Sequence, residues 1–163
     1  MKIKAAVLVV SDSVSAGLKE DRSGRLAAEM LQPVADVAEL CIVPDDIDRI
    51  RERLIAWCDA GMDVILTIGG TGLSPRDLTP EATRGIIERE LPGISLALMM
   101  NGLASTPRAA LSRAIAGQRG RTLIVNLPGN PSAVKDSIPV IIDLLPHALD
   151  MMSGKGHEQH ESR

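Results

Sequence analysis

A chain of 163 residues, 45 % hydrophobic and 24 % charged, has the size and composition of one globular domain burying about 70 % of its unfolded surface, which excludes a mainly disordered or fibrous protein. Eighteen basic against 21 acidic residues, net −3, supply no global field for nucleic acid or an anionic membrane. With Phe 0, Tyr 0 and Trp 1 there is no platform on which bases could stack, so the core must be filled by aliphatic residues, Ala and 7 Met. No apolar run approaches the ~18 to 20 residues of a membrane span, and Met1-Lys2-Ile3-Lys4 enters a strand-like run rather than a signal peptide. A cytoplasmic protein is expected.

The continuous apolar run from Ile3 to Val10 predicts a strand covered on both faces, ending in the polar Ser11-Asp12-Ser13. Asp21-Arg22-Ser23-Gly24 opens a helix through Leu26, Ala27, Met30 and Leu31 that breaks at Pro33. Val34 to Val43 reads as a second strand. Pro44-Asp45-Asp46 then starts a helix in which Ile47, Ile50, Leu54, Ile55 and Cys58 recur at spacings of three and four, closed by Gly61. Trp57 lies on this helix and is expected in the core. A third strand, Val64–Ile68, runs into Gly69-Gly70-Thr71-Gly72. Thr79 and Pro80 form a helix start, with Thr79 as cap, and another helix begins near Pro92-Gly93 with Ile94, Leu96, Leu98 and Met99. The last strand is Arg121 to Leu127, followed by a helix from Ser132 to Met152.

This alternation predicts an α/β fold: a mainly parallel open sheet with helices on both faces, three layers α/β/α, spanning residues 1–152. Residues 153–163 read as a polar, solvated tail; its His157 and His160 lack apolar anchors for a metal site. Cys41 and Cys58, far apart in a strand and a helix, are expected as buried thiols.

In an open parallel sheet, ligands bind beyond the carboxyl ends of the strands. Gly69-Gly70-Thr71-Gly72-Leu73-Ser74-Pro75-Arg76-Asp77 is the first loop of interest there. Its glycines let backbone N–H groups approach an anion, although a tight turn alone would also use glycine. It is neither a Walker A loop nor a dinucleotide fingerprint. Asp77 is either a Mg²⁺ ligand beside phosphate or a turn residue, and Asp45, on residue pattern alone, is a helix cap. The second loop is Asn126-Leu127-Pro128-Gly129-Asn130-Pro131-Ser132, where Asn130 can cap the final helix and leave N–H groups at its positive end. Two such loops at one sheet edge fit a ligand carrying several phosphates. There is no Gly-x-Ser-x-Gly, no His-Glu-x-x-His and no Cys/His cluster, and His147 reads as packed or half-exposed on the final helix. The chemistry left is positioning and electrostatics at phosphates.

The run from Gly69 to Thr83, with Leu111-Ser112-Arg113-Ala114-Ile115-Ala116-Gly117 and Asn126 to Pro131, resembles the molybdenum cofactor biosynthesis domain from the first strand to about Met152. Within that family it is most similar to molybdopterin adenylyltransferases, including the G domain of gephyrin. The resemblance implies AMP transfer from Mg-ATP to the phosphate of molybdopterin with release of pyrophosphate, a homotrimer, and a molybdotransferase downstream. It implies that Asp77 and Asp45 are catalytic carboxylates that hold or orient Mg²⁺. Gly69, Gly70, Thr71, Gly72, Pro128, Gly129, Asn130, Pro131 and Ser132 match the nucleotide side; Ser112 and Asn126 match positions that hold the pterin, and Ser11, Asp12 and Ser13 line the same edge. The rival expectation is a non-catalytic pterin-binding or assembly protein of the same fold. A larger molybdotransferase would need further domains, and a nucleotide-dependent regulator would have no use for the paired aspartates.

Overall fold

The apolar run Ile3–Val10 forms β1, and from Ala5 onward every residue is buried, as expected of a strand with helices above and below. In the computed structural model, which describes residues 2–155, the chain continues through α1 (Asp12–Ser15), α2 (Ser23–Leu31), β2 (Ala35–Val43), α3 (Ile47–Asp59), β3 (Val64–Ile68) and α4 (Thr79–Arg84). There follow β4 (Arg89–Glu90), α5 (Pro92–Leu103), a 3₁₀ turn (Pro107–Leu111), β5 (Ala116–Arg119), β6 (Thr122–Leu127) and α6 (Pro131–Met152). The expected histidines His157 and His160, with the rest of 156–163, lie outside the described residues.

The sheet order is β2-β1-β3-β6-β5-β4. β1 pairs in parallel with β2 and β3, and β3 in parallel with β6, so four strands point their carboxyl ends at one edge. The chain leaves β1 toward β2 and returns to β3 on the other side of β1, which puts the topological switch point between β1 and β3. Alternate residues of β1 enter opposite cores. Ala5, Val7 and Val9 pack with Ala27 and Leu31 of α2 and Val134, Ile138, Ile141 and Leu145 of α6. Ala6, Leu8 and Val10 face Ile50, Leu54 and Trp57 of α3 and Ala82 of α4. The three-layer α/β/α expectation therefore holds. Trp57 is 2 % exposed, and its indole N–H donates to Glu39 Oε2 at 2.9 Å, the usual way to bury a ring with a polar edge.

Several local expectations are corrected. The antiparallel strands β4 and β5 were not legible: β5 is only Ala-Gly-Gln-Arg, turned into β6 at Gly120, and Gly117 is where the Ile87 side chain packs. Thr79 is inside α4 rather than its cap, because its hydroxyl reaches across to donate to Gly69 O at 2.9 Å. The cap of α3 is Asp46, which accepts from Arg49 N, and not Asp45. Cys41 and Cys58 are free but only half-buried, and His147 is exposed. α6 carries Pro139 and Pro146 on its exposed side. No helix among the described residues is long and apolar enough to cross a membrane.

Candidate functional site

The loops that leave β1, β2, β3 and β6 converge at the carboxyl edge. Gly69 N donates to Leu127 O at 3.0 Å and Ser11 N to Val43 O at 3.0 Å, so the edge is stitched before the loops diverge. Gly69 and Gly70 have φ of +101° and +68°, the left-handed region that side chains disfavour. Space forbids a side chain as well: a Cβ on Gly69 would run into Val10 O, and one on Gly70 into the Thr79 hydroxyl, with Asp45 Oδ1 at 3.3 Å. A Cβ on Gly129 would lie 3.3 Å from Gly69 Cα, so the second loop passes against the first backbone to backbone. Asn130 caps α6, accepting from Ala133 N at 2.8 Å, and Ser23 Oγ donates to Gly129 O at 2.7 Å, tying α2 to the same loop.

Asp12 and Asp45 exchange bonds in both directions at 2.9 Å: Asp12 N donates to Asp45 Oδ2 and Asp45 N to Asp12 Oδ1. Arg76, in the glycine loop, donates to both Asp12 oxygens at 3.0 Å. The Asp45 N–H and then Arg76 hold the Asp12 carboxyl below the usual carboxylate range. Asp45 moves the other way: burial raises it, opposed by the Asp12 N–H and reinforced by the charges of Asp12 and Asp77. Asp77 Oδ2 accepts from Ser74 N at 3.0 Å while Asp77 N donates to Ser74 O at 2.9 Å, so its turn role is real and coexists with its place in the cavity wall.

Two cavities open at this edge, of about 650 Å³ and about 530 Å³. The first is lined by the ends of β1 and β3, residues 19–23, Asp45 and Asp77; the second by Thr71, Gly72, α5, the 3₁₀ turn, Ser112 and the start of α6. Gly69, Gly70, Asp77, Gly129 and Asn130 belong to both. Of the candidate nucleotide residues, Gly69, Gly70, Gly129 and Asn130 form the partition, Pro131 lines the first cavity alone, and Thr71, Gly72, Pro128 and Ser132 line the second alone. Those expected on the pterin side are divided by it: Ser11 lines the first cavity, Ser112 and Asn126 line the second, and Asp12 and Ser13 line neither. Asp12 is spent on Arg76 and Asp45, and Ser13 Oγ lies 3.2 Å from Ser11 Oγ, which also caps α1. Asn126 is fully buried, and both its amide hydrogens go to hydroxyls, Thr67 Oγ1 at 2.8 Å and Thr83 Oγ1 at 3.0 Å, while its oxygen accepts from Ile115 N.

Reading residue types missed Asp21, Arg76 and Arg113. Asp21 caps the start of α2 by accepting from Gly24 N at 2.8 Å, and its other oxygen is buried without a partner among the described residues. Arg113 binds the backbone of the glycine loop and Glu81. An arginine directly after Ser112, and another directly before Asp77, were the available signals; both are ambiguous until the fold brings them to one loop.

Among the described residues no group of three or more His, Cys, Asp and Glu could cage a metal. Asp45 and Asp77 line one cavity wall, where the charge of Asp77 adds to the burial that raises the Asp45 carboxyl, and they are the two carboxylates there that could hold a hard cation.

A glycine loop and two carboxylates meet at the switch point of a mostly parallel sheet, the place where α/β domains bind their ligands. A family model described as a probable molybdopterin binding domain matches residues 6–147, and the chain belongs to that family. It is 37 % identical to the molybdopterin adenylyltransferase of Helicobacter pylori (strain ATCC 700392 / 26695), over 98 % of this chain and 93 % of that protein. It is 41 % identical to the molybdenum cofactor biosynthesis bifunctional protein of Chlorobaculum tepidum over 94 % of its own length, spanning 50 % of that relative. Among solved structures, the molybdopterin biosynthesis enzyme MoaB of Thermus thermophilus superposes with a TM-score of 0.87 at 45 % identity, covering 93 % of this chain and 97 % of that one.

Proposed function

We propose that residues 1–152 form a molybdopterin adenylyltransferase that moves AMP from Mg-ATP to the terminal phosphate of molybdopterin and releases pyrophosphate, with 153–163 as an appended tail. The observation that carries this is the shared wall. Two ligand-sized cavities meet on Gly69, Gly70, Asp77, Gly129 and Asn130, so two anionic substrates would be presented to each other across backbone N–H groups. Ser112 in the second cavity, together with the hydroxyls of Ser95, Ser105 and Thr106, supports the pterin side there, and the nucleotide would reach from the first cavity across the shared wall to Thr71, Gly72, Pro128 and Ser132.

The step needs no strong base, because a phosphate oxygen of the pterin is already a nucleophile. That oxygen attacks the α-phosphorus of ATP, a P–O bond forms, and the bond to the β-phosphate breaks as pyrophosphate leaves. The glycine loop and the N-terminus of α6 supply N–H groups to the phosphates. Asp45 and Asp77 would hold Mg²⁺, and that ion when bound supplies positive charge against the crowded phosphates. Asp12, pinned by Arg76, keeps Asp45 in place.

The homotrimer and the downstream molybdotransferase are part of the proposal, as is a cytoplasmic setting. α5 supports self-association: it buries no residue, and Leu96, Met100 and Leu103, with Leu111 of the 3₁₀ turn, are 44–64 % exposed. The number three comes from the family resemblance, and light scattering tests it. Purified protein given Mg-ATP and molybdopterin is expected to release pyrophosphate and yield a pterin heavier by an adenylyl group. Tight pterin binding with no transfer would make it a binding or assembly protein instead.

A further inference from the structure

Arg113 lines neither cavity, yet it holds the glycine loop at Thr71, Gly72 and Asp77. Its own N–H donates to Thr71 O at 2.9 Å. Its Nε donates to Gly72 O at 2.8 Å and its Nη2 to Asp77 O at 2.7 Å. Nη1 pairs closely with Glu81 Oε1 in the first turn of α4. Thr79, two residues before Glu81, holds Gly69 O. Both ends and the middle of the loop are therefore fixed to one short helix and one arginine.

The direction of these bonds matters. In a trans peptide the C=O and the following N–H point opposite ways, so drawing the carbonyls of Thr71 and Gly72 toward Arg113 turns the N–H groups of Gly72 and Leu73 away from it. A loop that cradles phosphate must keep its carbonyl oxygens, which repel an anion, on the far side. The guanidinium is a planar fork with five donors, able to engage two carbonyls and a carboxylate at once, and the point charge of an ammonium cannot. Glu81 is held below the ordinary carboxylate range chiefly by its bond from Arg113, which keeps the pair charged and the fork oriented.

We propose that Arg113 is a positioning residue for the transfer step: by clasping the carbonyls of Gly72 and Asp77 with its guanidinium from behind the loop, it sets the loop N–H groups and the Asp77 carboxylate toward the substrates. The catalytic part of this rests on the adenylyl-transfer reading; the clasp itself does not.

Arg113→Ala and Arg113→Lys test it, each with two readouts. Amide hydrogen exchange without substrates is expected to accelerate about 10-fold or more across Gly70 to Leu78 and to stay unchanged in β1 and β6. In steady-state AMP transfer, kcat is expected to fall about 10- to 100-fold, with KM for the pterin moving less than about 3-fold. Added guanidinium, at concentrations too low to denature, restores part of the turnover of Arg113→Ala and none to Arg113→Lys. Should Arg113→Ala not fold, the lysine variant carries the test. Wild-type exchange and wild-type kcat in Arg113→Lys would overturn the proposal, as would faster exchange in β1 and β6 equal to that in the loop. If the wild-type protein itself forms no adenylylated pterin, the proposed reaction fails while loop exchange still decides the clasp.

Discussion

Gly70→Ala separates two contributions that a glycine loop combines. Gly70 and Gly61 both have positive φ, +68° and +80°, but a Cβ on Gly61 meets nothing within 4 Å, whereas one on Gly70 collides with the hydroxyl of Thr79. Each substitution places an L-residue in the left-handed region, at about 1 to 2 kcal/mol. Each also regains about 0.4 to 1 kcal/mol by restricting the unfolded chain. Gly61→Ala therefore costs about 1 kcal/mol. Gly70→Ala must in addition displace the buried bond from Thr79 to Gly69 O, which adds about 1 to 3 kcal/mol. For a domain of this size each kcal/mol shifts Tm by about 2 to 4 °C, so thermal unfolding should show a drop of about 3 °C for Gly61→Ala and about 10 °C for Gly70→Ala. Pyrophosphate release should be unchanged in the first and nearly lost in the second, because Asp45 and the loop backbone are moved together. Equal Tm shifts, with wild-type turnover in Gly70→Ala, would refute the claim that this loop is held by contact rather than by backbone preference alone.

Asp45→Asn is expected to lower turnover and raise stability near pH 7. Burial raises the Asp45 carboxyl, and a group with a raised folded pKa contributes stability in acid that is lost as pH climbs through that value. The variant's Tm advantage should therefore shrink as pH falls toward the ordinary carboxylate range, where the wild-type Asp45 carboxyl becomes neutral like the asparagine that replaces it; an advantage independent of pH would contradict this cause. Asn126→Ala strips partners from Thr67, Thr83 and Ile115 N, at about 3 kcal/mol in total, so Tm should fall by about 10 °C. An unchanged Tm with weakened pterin binding would return Asn126 to the ligand.

The parallel part of the sheet was legible because β1, β3 and β6 are mainly apolar runs, as in Val64–Ile68, and each ends at a glycine or polar loop. The antiparallel end was not, since β4 has two exposed residues and β5 is four residues long, with polar Gln118 and Arg119 after Gly117. The two glycine-bearing loops stand out in sequence for the same reason they work: Gly69 and Gly70 take positive φ, and Gly129 lets the second loop's backbone lie against the first. Partners of charged residues were hidden, because which aspartate meets which arginine depends on how distant loops converge. Asp12 and Arg76 are 64 residues apart, and Arg113 reaches a carbonyl 41 residues upstream. The same convergence separates Ser11 from Ser112, which residue matching had put together.

Asp77 stands in the wall that both cavities share, and its replacement is the most direct measurement of a two-substrate transfer site. In Asp77→Ala, kcat for AMP transfer is expected to fall about 100-fold or more while the pterin Kd changes by less than about 3-fold, as for a group that acts mainly on the transition state. Equal losses in turnover and in pterin affinity would show that Asp77 only shapes the cavity, and would contradict the account.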